Sequence, residues 1–130
     1  MADLVGIVLV SHSAQLALGL REMLVQIGAD AVPVEAAGGT EDGRVGTSYD
    51  LISAAIDRAD RGAGVVILTD LGSAVLTTRT VLDDRSAENV VLVDAPFVEG
   101  AVAAAVIAGT GADLVAVIAA AEEARGVPKW

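Results

Sequence analysis

Leu4 to Val10 is an unbroken aliphatic run that stops at Ser11-His12-Ser13. A strand with water on one side alternates apolar and polar residues. A run without alternation is covered on both faces, as in parallel sheets sandwiched between helices. The pattern recurs at Val65 to Thr69 and, shorter, at Val90 to Val93, while Ala31 to Ala37 reads as a weaker strand. There Pro33, which cannot donate to a ladder, points to an exposed side or an irregular start.

Helical periods fill the intervals. From Ser13 to Ile27 the apolar residues Leu16, Leu20, Met23, Leu24 and Ile27 recur at three and four, with Ser13 to cap the helix and Gly28 to end it. Further helices are predicted from about Ser48 to Arg61, Val75 to Asp83, Val98 to Ala108 and Asp113 to Arg125. Gly38 to Ser48 has the composition of a loop. Strands alternating with helices specify a parallel sheet, because each parallel connection returns across one face. The expected class is α/β, a single three-layer domain over residues 1–126 with a four-stranded parallel sheet, helices on both faces and a tail at 127–130.

At 130 residues the chain has material for one core. Apolar residues make up 54%, nearly all aliphatic, with Tyr49, Phe97 and Trp130 the only aromatics, a surplus that suggests apolar surface left for a subunit contact. A formal net charge of −10 repels a phosphate backbone, so nucleic acid is excluded as a partner. There is no cysteine, which removes disulfides, thiolate nucleophiles and cysteine-bound metals, and His12 alone cannot build a histidine-rich metal site. Met1-Ala2-Asp3 lacks the basic region and apolar run of a secretory signal, so a cytoplasmic location is expected. Ala101 to Ile118 is interrupted by Gly109, Thr110, Gly111 and Asp113, so it reads as two short helices and not as membrane insertion.

Ligands of open parallel sheets collect beyond the carboxyl ends of the strands. Three polar loops share that edge: Ser11-His12-Ser13, Gly38 to Ser48 and Asp70-Leu71-Gly72-Ser73. His12 stands between a strand and a helix start, where free amides and the helix dipole favour an anion and resist protonation of the ring. A neutral imidazole can attack phosphorus. Asp70, at the end of the third strand, is placed to accept from one ring nitrogen and leave the other free. Ser13, Gly39, Thr40, Thr47, Gly72 and Ser73 form the candidate phosphate-binding set, and Gly46 belongs to the same loop. No lysine lies in these loops, so backbone donors must supply most of the neutralisation. Each signal alone has a plain structural reading as a cap or turn; Arg44 and Arg79 suit solvent, and Glu99 suits a helix start after Pro96.

Together, V-G-I-V-L-V-S-H-S at Val5 to Ser13, T-D-L-G-S-A at Thr69 to Ala74 and A-P-F-V-E-G-A at Ala95 to Ala101 resemble the mannose-type EIIA domains of the bacterial sugar phosphotransferase system. Within that family the resemblance is greatest to the branch that donates phosphoryl groups to phosphoenolpyruvate-dependent dihydroxyacetone kinase. It implies a sheet in the order 2-1-3-4, a homodimer, a phosphorylated histidine at His12 with Asp70 as its partner, and Gly39, Gly72 and Ser73 near the phosphate. It also implies the histidine-containing phosphocarrier protein as donor and the ADP-binding subunit of dihydroxyacetone kinase as acceptor, a phosphotransferase needing neither metal nor bound cofactor. The alternatives are the EIIA component of a mannose-type sugar transporter, a receiver-like regulatory module and a flavodoxin-like nucleotide binder. Receiver domains carry an acidic cluster at the end of the first strand, where this chain has only Asp3, which precedes it. The flavodoxin reading lacks its glycine-rich first loop.

Overall fold

The computed structural model describes residues 3–86 and 89–130; Met1, Ala2, Ala87 and Glu88 lie outside it. Strands β1 (Gly6–Ser11), β2 (Val34–Gly38), β3 (Val65–Thr69) and β4 (Val90–Leu92) form one parallel sheet in the order β2-β1-β3-β4. Helices α1 (Ala14–Gln26), α2 (Tyr49–Ala59), α3 (Gly72–Asp83), α4 (Phe97–Gly109) and α5 (Leu114–Glu123) cover it, followed by a single 3-10 turn at Ala124–Gly126. The predicted α/β class, strand number and order are those observed.

Alternation along the buried strands builds two cores. Ile7 and Leu9 of β1 with Val66 and Leu68 of β3 face α1, α4 and α5, meeting Leu20, Leu24, Ala104 and Val117. Val8, Val10, Val65 and Ile67 face α2 and α3, meeting Ile52, Ile56, Ala74 and Val81. Both faces are thus apolar, and β1 and β3 read as continuous hydrophobic runs for that reason.

Several boundaries differ from expectation. In α1 the buried stripe is Ala17, Leu20 and Leu24, while Leu16, Met23 and Ile27 are 47%, 38% and 50% exposed. The helix lies so close to the sheet that alanine fills the contact. Pro33 precedes the edge strand β2, and its carbonyl accepts from the Ile7 amide at 2.8 Å. Gly72 and Ser73, expected in a loop, form the first turn of α3. The apolar stretch from Ala101 divides into α4 and α5, and among the described residues no helix is long and apolar enough to cross a membrane.

β1 and α2 approach without room for a side chain. A Cβ at Gly6 would stand 2.2 Å from the Ala59 carbonyl oxygen, and backbone cannot move aside as a flexible side chain can. Gly6→Ala is therefore expected to cost about 1–3 kcal/mol, lowering the midpoint of a thermal melt followed by circular dichroism by about 3–15 °C. An unchanged midpoint would contradict the close approach.

Candidate functional site

The strand order reverses between β1 and β3: the chain leaves β1 toward β2 on one side, and β3 lies on the other. Such a switch point opens a crevice at the strand ends. His12 follows β1 and Asp70 follows β3, and the Asp70 amide donates to the Val10 carbonyl at 3.1 Å, so the two residues face across adjacent strand ends.

Asp70 is saturated. Its Oδ1 accepts from His12 Nδ1 at 2.9 Å and from the Leu71 amide at 2.7 Å. Its Oδ2 accepts from the Ser11 hydroxyl at 2.8 Å and from the His12 amide at 3.0 Å. Burial alone would raise its pKa, but the bonds from the His12 amide and ring, Ser11 and Leu71 outweigh that and hold it below the ordinary carboxylate value. An ionised, acceptor-only Asp70 places the ring proton on Nδ1, a tautomer assigned from the hydrogen-bond network. Nε2 then carries the lone pair, and the Ser73 hydroxyl donates to it at 2.6 Å. The ring is only 18% exposed and Asp70 10%, so the pair sits at the rim, with the contact of Nε2 to Ser73 on the exposed side.

The low carboxylate value has a thermodynamic consequence. Because the folded pKa lies below the unfolded value of about 3.9, Asp70 stabilises the fold fully above that value, and the contribution disappears as pH falls through the folded pKa. Urea denaturation between about pH 6 and pH 3 is expected to show a shallower acid decline for Asp70→Asn than for the parent. Parallel declines would mean that the carboxylate is not held in this way.

Two helices begin beside the histidine–aspartate pair. α1 begins just after His12, with Ser13 as its cap accepting from the Leu16 amide at 3.2 Å. α3 begins at Gly72, and its cap position, Leu71, makes no side-chain hydrogen bond. The first amides of a helix have no partner within it, so the Gly72 and Ser73 N–H groups at the start of α3 are free of intrahelical bonds. Among the described residues no arginine or lysine is bonded to His12 or Asp70. Arg44 pairs with Asp42 at 3.2 Å on the exposed loop, Arg79 is exposed on α3, and Glu99 pairs with Lys129 at 3.0 Å. Among the described residues no group of three or more His, Asp or Glu side chains gathers to hold a metal.

Of the expected phosphate-binding set, Ser73 touches His12 and Gly72 lies beside it. The others are engaged elsewhere. The Gly39 amide donates to the Ser11 carbonyl at 3.0 Å and the Thr40 amide to the Arg44 carbonyl at 2.9 Å. The Thr40 hydroxyl bonds Asp42 within its own loop, and the Thr47 hydroxyl pairs with that of Thr77 on α3 at 2.7 Å. Ser13 is occupied as the α1 cap. The loop instead frames the histidine: the Gly46 amide donates to the His12 carbonyl at 2.9 Å. Gly38 and Gly39 let it pass close to α1, where a Cβ at Gly38 would stand 2.5 Å from the Ser13 carbonyl oxygen.

Ser11 is the residue that sequence reasoning left without a role. It is fully buried, donates to Asp70 and accepts from the Ser13 amide at 3.0 Å, joining the carboxylate to the start of α1. A polar residue ending an otherwise aliphatic buried strand was its only signal. Ser11→Ala leaves a half-buried amide and a carboxylate lone pair without a partner, at a cost of about 1–3 kcal/mol measurable by chemical denaturation. A variant as stable as the parent would show that solvent or another group replaces the hydroxyl.

Comparison with known proteins adds to this geometry. The EIIA-man family model, described as the PTS system fructose IIA component, matches residues 6–118. The phosphoryl donor subunit DhaM of PEP-dependent dihydroxyacetone kinase 2 from Listeria innocua is 42% identical over 106 residues, spanning 79% of this chain and 85% of the relative. The phosphotransferase subunit DhaM of a PTS-dependent dihydroxyacetone kinase from Lactococcus lactis is 32% identical over 112 residues, spanning 86% and 89%. A crystal structure of a protein of unknown function superposes with a TM-score of 0.85 at 39% identity, over 95% of this chain and 96% of the other.

Proposed function

The chain belongs to the EIIA-man family of phosphotransferase-system components, and from that membership we propose that it is a phosphohistidine carrier taking a phosphoryl group from the histidine-containing phosphocarrier protein and passing it to ADP on the kinase subunit of dihydroxyacetone kinase. A phosphotransfer role is supported by the relatives named as phosphoryl donor and phosphotransferase subunits. The observation that carries the reading is the imidazole fixed at Nδ1 by Asp70 with Nε2 turned toward Ser73 and the open first turn of α3.

In the first step His12 Nε2 attacks the phosphorus of the donor's phosphohistidine. The new N–P bond forms as the donor's N–P bond breaks, and the donor ring keeps the electron pair. In the second step an oxygen of the ADP β-phosphate attacks, the Nε2–P bond breaks, and ATP forms. Throughout, the Nδ1 proton stays bonded to Asp70, whose negative charge stabilises the ring while it bears the phosphoryl group. The Gly72 and Ser73 amides and the Ser73 hydroxyl, once rotated off Nε2, are the donors for the phosphoryl oxygens. Such transfer makes few covalent demands on the protein beyond alignment and charge stabilisation. The same reading takes the protein as a homodimer of the cytoplasm.

The alternative acceptor, the next component of a mannose-type sugar transporter, is favoured by the family's description as a fructose IIA component. Incubation with phosphoenolpyruvate, enzyme I and the phosphocarrier, then mass spectrometry, is expected to find the phosphoryl group on His12. Adding the kinase subunit loaded with ADP is expected to discharge it with formation of ATP. Discharge only to a transporter component would select the alternative, and no charging of His12 would remove both.

A further inference from the structure

Carrying a phosphoryl group on Nε2 requires the ring and its carboxylate, but the contact to Ser73 has a second chemical consequence. Ser73 Oγ lies 2.6 Å from His12 Nε2, and His12 Nδ1 lies 2.9 Å from an Asp70 carboxylate that three further donors hold in place. Serine, histidine and aspartate are linked in the sequence that makes a hydroxyl nucleophilic: base on the hydroxyl, carboxylate on the base. Ser73 is exposed to reagents, and it sits in the first turn of α3, where its own amide and that of Gly72 have no partner within the helix.

We propose that Ser73 is a second nucleophile of this site, accepting acyl groups from small activated esters, with His12 as general base and Asp70 as the group that orients it. Ser73 Oγ attacks the ester carbonyl; the Oγ–C bond forms as its proton passes to Nε2. The bond to the alcohol then breaks, and the leaving oxygen takes that proton. Water attacks the acyl-serine, gives a proton to Nε2 and releases the carboxylic acid as Ser73 recovers its hydrogen. A fluorophosphonate follows the first half alone: the Oγ–P bond forms, the P–F bond breaks, fluoride leaves, and the proton passes through His12 to solvent. A phosphoryl group on Nε2 occupies the base's lone pair, so the two chemistries exclude one another.

The test uses the unphosphorylated full chain and a fluorophosphonate probe, with the adduct located by mass spectrometry. Label is expected on Ser73, absent from Ser73→Ala and slowed at least about hundredfold in His12→Gln. Carbethoxylation of His12, the only histidine, by diethyl pyrocarbonate blocks labelling in the intact parent protein, and hydroxylamine restores it. This arm remains decisive if a variant folds poorly. No adduct on Ser73, or an adduct forming at the parent rate after His12 is blocked, overturns the proposal. A chain that is charged by the phosphocarrier yet never labelled at Ser73 retains the carrier function and loses this one.

Discussion

Asp70→Asn is expected to slow charging of the protein by the phosphocarrier by about 10²–10⁴-fold, with the far-ultraviolet circular dichroism spectrum unchanged. The native carboxylate meets four donors: the Ser11 hydroxyl, the His12 amide, His12 Nδ1–H and the Leu71 amide. An asparagine offers an NH₂ in place of one oxygen, so two of those donors meet a donor. If the NH₂ faces the ring, the imidazole must accept at Nδ1 and carry its proton on Nε2, where the nucleophilic lone pair belongs. Rapid-quench measurement of phosphoryl uptake checks the rate, and nitrogen chemical shifts of the ring report the tautomer. Equal rates in variant and parent would remove Asp70 from the mechanism.

His12→Ala is expected to reduce phosphoryl uptake to background, because no other side chain at the site offers a ring nitrogen and the chain has no cysteine or second histidine to substitute. The ring belongs to neither apolar core, so its loss leaves the core packing in place. Uptake of label from phosphoenolpyruvate through enzyme I and the phosphocarrier, followed by intact mass, measures the effect. Label retained on the variant would place the acceptor elsewhere.

Much of the framework is legible because the strands are buried on both faces. Val65–Thr69 is observed as its composition predicts, since five aliphatic or β-branched residues between polar turns suit little else. β1 runs one residue past its aliphatic stretch because Ser11, though polar, finds Asp70 just beyond the end of β3, a partner that is 59 residues away in sequence. α3 begins before its expected start because Leu71 is a cap without a capping side chain, leaving no local signal. The period of α1 is right and its stripe misplaced, since sequence shows which residues are apolar but not how closely a helix can approach when Ala17 is the contact.

At the candidate site, the meeting of His12 with Asp70 was legible from position, each following a central strand at the same edge. The partners that the Thr40 and Thr47 hydroxyls take within the chain were not, because small polar residues in a glycine-rich loop suit either a ligand or one another. The pairing of Thr47 with Thr77 depends on α3 lying beside that loop, a fact of tertiary packing.

The main chain of His12 is gripped on both sides, its N–H by Asp70 and its carbonyl by the Gly46 amide. A residue anchored so firmly has no arm to swing between two stations. On the proposed carrier reading, donor and acceptor would therefore use the same berth in turn, each leaving before the other arrives.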